Sequence, residues 1–309
     1  MQTLPPSEIS YKRIWDLSWP TILANICVPL IGATNIAVMG RLSDPKYIGG
    51  VALGVVVLQC IYWSFSFLRK GTTGITSQAF GRGDKEGVFA ALLRSLLIAL
   101  ILSVIVIALQ QLICWFAFAI LHGSEEVESL AKEYFNIRIW GSFATTGNYV
   151  MLGWFYGIQR PKLALILRIL MNAINIPLAI YLVLTLHWGV AGAAYSALIS
   201  NYLIFILSLI TVIPILKEYF ADANNRIDFS FLKAVIHRSH LEKVFRINGD
   251  IFIRTVLVFS AFSWFTSAGA SQGDLVLAAN TILINLFWFI SYGLDGFANA
   301  AETLVGQAV

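Results

Sequence analysis

LVLAANTILINLFWFISYGLDGFANAAETLVGQAV, residues 275–309, decides how the rest of the chain is read. It is an apolar run of membrane-spanning length that carries two carboxylates, Asp295 and Glu302, seven residues apart. Seven residues are about two helical turns, so both acids fall on one side of a helix, roughly 10 Å apart along its axis. A carboxylate within hydrocarbon costs at least about 2.5 kcal/mol, so each is expected to face a polar interior and is a functional candidate by default.

Composition extends the same reading to the whole chain. Of 309 residues, 58% are hydrophobic and only 12% charged, and the mean hydropathy is +0.76. Soluble domains carry roughly 25% charge, so a water-soluble globule is excluded. The net charge of +4 comes from Lys and Arg gathered in short segments between apolar runs, a topology signal that does not point to nucleic acid. Cys27, Cys60 and Cys114 all lie inside apolar runs and read as small buried hydrophobes. The opening MQTLPPSEISYKRIW lacks the apolar core of a signal peptide, which leaves membrane insertion to the first helix.

Eight spans are predicted, at residues 14–40, 48–79, 88–121, 134–157, 163–186, 189–215, 244–268 and 275–309. Alternate connections hold Lys12 and Arg13, Arg82 and Lys85, Arg160 and Lys162, then Lys217, Arg226, Lys233, Arg238, Lys243 and Arg246; the opposite set holds only Arg41, Lys46 and Lys132. The positive-inside rule therefore places the N-terminus and the segment 217–240 in the cytoplasm, with Glu125, Glu126 and Glu128 outside. The segment DFSFLKAVIHRSHLEKVF alternates apolar and basic residues at helical spacing and is expected to lie along the inner membrane surface.

A weak internal repeat divides the chain. Setting Gln78 against Gln307 aligns VALGVVVLQCIYWSFSFLRKGTTGITSQAF with NTILINLFWFISYGLDGFANAAETLVGQAV, with Trp63 against Tyr292 and a shared Gln-Ala ending. The second and eighth helices then become equivalent members of two repeats. The expected organisation is an all-α membrane protein with a six-helix lobe at 1–214, an amphipathic linker at 215–240, and two helices of a second lobe at 241–309.

The segments PLIGATNIAVMGRLSDPKYIGGVALG, FLRKGTTGITSQAFGRGD, NYVMLGWFYGIQRPKLALIL, NAINIPLAIYLV, GDIFIRT and ISYGLDGFANAAETLVGQAV together resemble the multidrug and toxin extrusion (MATE) family, in its DinF-like branch. The resemblance implies a twelve-helix secondary antiporter of two six-helix lobes, exchanging H+ or Na+ for small amphipathic organic compounds, without a bound cofactor and without enzymatic activity. It also implies a bacterial inner-membrane location, and that this sequence carries one whole lobe and about a third of the other. The expectation is a truncated form that does not transport by itself. A non-transporting fragment or interaction partner, or a lipid-linked flippase of the same superfamily, is the alternative.

Several polar residues stand out against this background. Asn35 occupies a position where the family usually carries an aspartate, Asn175 matches a family asparagine, and Ala179 replaces another common aspartate. With Asn148 and Asn172 these make a first-lobe pocket of amides, which hydrogen-bond but do not titrate. Plain helix-to-helix hydrogen bonding is the competing reading. Coupling candidates are Asp250, Arg254, Asp295 and Glu302, with Asp250 and Arg254 at a spacing that also allows a structural ion pair. Glu302 falls close to or beyond the inner interface and is the weaker candidate, while Arg69 and Lys70 are expected to snorkel to that interface. Pro20 and Pro29 interrupt the first span, and Pro20 matches the family's bend position. No phosphate-binding glycine loop with lysine occurs, and His237 and His240 lack partners at metal-site spacing.

Overall fold

The computed structural model describes residues 10–27, 34–35, 37–42, 44–121, 124–220, 249, 253–254, 257–258, 260–262, 264–265 and 274–308. Pro29, Asp250 and most of the predicted linker lie outside the described residues. Ten α-helices are delimited within them: α1 Tyr11–Ile26, α2 Lys46–Ser64, α3 Phe67–Gly81, α4 Lys85–Ala108, α5 Gln110–Ile120, α6 Glu125–Arg138, α7 Ser142–Gly157, α8 Pro161–Ile180, α9 Gly189–Phe220 and α10 Asp274–Ala308. No strand occurs among the described residues. Lys46–Gly81, Lys85–Ala108, Pro161–Thr185 and Gly189–Glu218 are each long and apolar enough to cross a membrane.

Several predicted spans are jointed rods. The second is α2 and α3, joined through Phe65 and Ser66 by tight i to i+3 bonds such as Leu68 N to Phe65 O at 3.0 Å. The third breaks at Leu109 into α4 and α5. The fifth ends in a π-helical turn, Tyr181–Thr185, just after Pro177 removes a backbone donor.

Two boundaries differ from expectation. The acidic segment before the fourth span is the helix α6 and not an irregular connection. Ser124 caps it, accepting from Val127 N at 3.4 Å, and Glu125, Glu126 and Glu128 sit in its first turn, where the helix dipole favours negative charge. The sixth helix runs through Pro214 to Phe220, six residues past the predicted end of the lobe.

The two ends of the bundle differ in charge. One carries the start of α1, the Gly81–Asp84 turn and the Arg160 turn; Arg160 meets Glu218 there at 2.7 Å. The other carries Asp44, Lys46 and the start of α6, where Lys46 lies 3.1 Å from Asp44 and 3.0 Å from Glu126. The Lys46 backbone N–H, and then its side chain, hold the Asp44 carboxyl below its ordinary range.

At the centre lies α7, whose side chains are mostly buried. Helices in lipid gain nothing from hiding apolar surface from each other, so close backbone approach has to hold them together. Gly153 supplies it: a β-carbon there would overlap the Arg69 carbonyl of α3. One turn on, a β-carbon at Gly157 would lie 2.6 Å from Thr76 Cβ. On the opposite side Trp154 donates from Nε1 to Val88 O of α4 at 3.0 Å, so its polar atom is satisfied inside the core. Ser103 and Thr146 link α4 to α7 at 2.9 Å.

Candidate functional site

The site grows from the seam where α10 meets α1, α3 and the turn after α7, at the basic end. A β-carbon on Gly296 would overlap Ile22 of α1, and one on Gly306 would overlap Ser77 of α3. Trp15 and Phe297 rings stand 6.3 Å apart on the same seam, and Asn25 Nδ2 reaches Tyr292 O at 3.5 Å. These contacts close the basic end between the first and last described helices.

A polar column runs down this seam on α10. Asn299, Thr303 and Gln307 follow at four-residue intervals, which keeps them on one helix face. Arg69 Nη1 donates to Asn299 Oδ1 at 3.1 Å, and Thr303 Oγ1 donates to Tyr156 O at 3.3 Å. Gln307 Oε1 accepts from Gln159 Nε2, whose Oε1 in turn accepts from Arg13 Nη2 at 3.1 Å. Gln159 therefore ties α1 to α10. It does so from a left-handed conformation, φ 57°, at the end of α7, where Arg160 N bonds Phe155 O at 2.8 Å and Gln159 N bonds Tyr156 O at 3.0 Å. That pairing ends helices on glycine far more readily than on a residue with a β-carbon.

Charges flank the column. Lys70 is half-buried within electrostatic range of Arg69, Arg254, Asp295 and Glu302. Glu302 is half-buried against α3, its Oε1 lying 3.8 Å from where a Gly74 β-carbon would stand. Asp295 is exposed. The two acids thus share a helix side but not an environment, because α3 covers the lower one only. Arg69 reaches α10 through its bond to Asn299. Pro20 lies buried within α1, close to the seam.

Inside the first six helices the four predicted asparagines are buried. Asn148 Nδ2 donates to Asn201 O at 3.1 Å, Asn172 Nδ2 to Cys27 O at 3.1 Å, and Asn175 Nδ2 to Ser196 Oγ at 3.4 Å. Asn35 meets the Tyr134 side chain. Among the described residues each of the four has an Oδ1 without a hydrogen-bond partner, while the nitrogens of Asn148, Asn172 and Asn175 hold helices together. They meet different groups: Asn148 and Asn175 both face α9, at Asn201 and Ser196, while Asn172 faces the end of α1 and Asn35 faces α6.

Sequence reasoning passed over Arg138, Arg168, Gln159 and the column residues Asn299 and Thr303. Two signals were present: a basic residue within a predicted span, as at Arg138 and Arg168, and polar residues recurring every four positions along an apolar helix.

Comparison with known proteins agrees with this architecture. The MatE family profile matches residues 20–181. DNA damage-inducible protein F of Escherichia coli is 36% identical over 97% of this chain and 64% of its own length. Multidrug export protein MepA of Staphylococcus haemolyticus is 22% identical over 96% and 64%. Among solved structures, a MOP superfamily transporter from Pyrococcus furiosus superimposes with a TM-score of 0.82 at 22% identity, covering 96% of this chain and 64% of that one. A MATE structure in a bent conformation gives 0.82 at 24% identity, covering 99% and 66%. The chain spans just under two thirds of the length of the curated relatives named here. A multi-pass helical membrane protein with this fold, and with that profile over more than half its length, belongs to the MatE family.

Proposed function

We propose that the protein acts in secondary efflux of small amphipathic organic compounds, driven by H+ or Na+, with the coupling ion handled at the α3–α10 seam. The observation that carries this reading is the position of Glu302, half-buried against α3 beside Arg69 and Lys70. A carboxylate there can exchange between an ion-paired state and a proton- or sodium-bound state, and either change alters the attraction that holds α10 to α3. The asparagines of the first unit do not titrate, so they serve as hydrogen-bonding surface. The basic end faces the cytoplasm under the positive-inside rule, which puts the seam on the cytoplasmic side. MATE structures in bent and in straight conformations give a precedent for movement in this fold, and Pro20 in α1 is the matching weak point here.

The test is uptake of a fluorescent organic dye into proteoliposomes under an imposed pH or sodium gradient. Contrary to the sequence expectation that these 309 residues do not transport by themselves, gradient-dependent uptake that is lost in Glu302→Gln, and reduced in Asp295→Asn, is expected. Uptake no greater than in protein-free liposomes, or uptake untouched by either change, would defeat the reading.

A further inference from the structure

The basic end gathers charge from three helices that are distant in sequence. Arg13 Nη2 of α1 donates to Gln159 Oε1, beside the start of α8, at 3.1 Å, and Arg160 Nη2 meets Glu218 Oε2, at the end of α9, at 2.7 Å. These two contacts bring Lys12, Arg13, Arg160, Lys162 and Lys217 into one region, with only Asp16 and Glu218 as carboxylates from the same turns. Lys12, Lys162 and Lys217 are exposed, and among the described residues no ion pair engages them. Gathered cations repel one another, so the cluster gains from an anion that they share.

The surface below the charges selects the kind of anion. On α1, Lys12, Trp15, Trp19, Leu23 and Ile26 follow at three- and four-residue spacing, which keeps them on one helix face. Trp15, Leu23 and Ile26 are 55%, 45% and 38% exposed. That face passes from ammonium to indole to aliphatic chain, the order in which a leaflet presents headgroup, interface and hydrocarbon. The start of α8 repeats the pattern, with Lys162, Ile166 and Ile169 at the same spacing and all exposed. The two helices are held side by side, since Asn172 Nδ2 donates to Cys27 O at 3.1 Å. We propose that the starts of α1 and α8, with the end of α9, form a docking surface for an anionic phospholipid. Lys12, Lys162 and Lys217 hold its phosphate, and its acyl chains lie along the exposed apolar faces of α1 and α8. Basic residues at a membrane surface draw anionic lipid additively, whereas a soluble phosphate compound would leave the apolar faces unused. This surface is separate from Glu302 and does not rest on the transport reading.

The purified full chain in detergent is titrated with phosphatidylglycerol and with phosphatidylcholine of the same acyl chains, and bound lipid is counted by native mass spectrometry. Phosphatidylglycerol is expected to bind saturably and at least about tenfold more tightly, a preference that falls below about threefold when Lys12→Gln, Lys162→Gln and Lys217→Gln are combined. Arg41→Gln, which removes an exposed cation near the acidic end, should leave the preference unchanged. Glycerol 3-phosphate, which has the headgroup chemistry without the chains, should not displace the lipid. Should the triple variant fail to fold, Lys162→Gln alone provides the second arm and should lower the preference at least about twofold. Equal affinity for the two lipids, an undiminished preference in the folded lysine variants, an equal loss in Arg41→Gln, or displacement by glycerol 3-phosphate overturns the proposal.

Discussion

Ser77 and Gly306 hold the same position in the two aligned repeats and lie against one another across the α3–α10 seam. A contact between equivalent positions is what a two-fold relation between the two aligned segments would produce. The seam is then the place where relative movement of two repeats would be felt first.

Close approach at the seam predicts an ordering of substitutions. A β-carbon at Gly306 overlaps only the Ser77 hydroxyl, a rotatable group that now donates to Gly74 O at 3.0 Å. At Gly81 it overlaps the Gln307 backbone, which cannot turn aside. Gly81→Ala should cost about 1–3 kcal/mol and Gly306→Ala less than about 1 kcal/mol. Thermal unfolding in detergent measures both, and the reverse order would mean the helices do not meet this way.

Gln159 should be the latch on the basic end. Replacing it with glycine relieves a left-handed backbone worth about 1–2 kcal/mol but deletes the bridge from Arg13 to Gln307. Gln159→Gly is expected to melt no lower than the parent while opening the seam more often. Thr303, now 2% exposed, becomes the reporter as Thr303→Cys in a background without native cysteines. Its labelling should quicken at least about threefold in Gln159→Gly, and equal rates would deny the latch.

The fold was legible because lipid imposes a simple code of apolar length and basic asymmetry, and Glu302 was visible as an acid inside such a run. Its neighbours were not legible: α10 continues to Ala308, and α3 covers Glu302 while leaving Asp295 open. The amides at Asn35, Asn148, Asn172 and Asn175 could be selected by residue type, but which atom of each is satisfied depends on neighbours from distant helices.

The most direct measurement is a cross-link between Ser77→Cys and Gly306→Cys in a chain whose Cys27, Cys60 and Cys114 are replaced by serine. The account predicts rapid, near-complete disulfide formation on mild oxidation, loss of gradient-driven dye uptake while the bond persists, and recovery on reduction. Failure of the pair to cross-link, or full transport with the bond intact, would contradict the claim that the repeats meet at this seam and must part there to work.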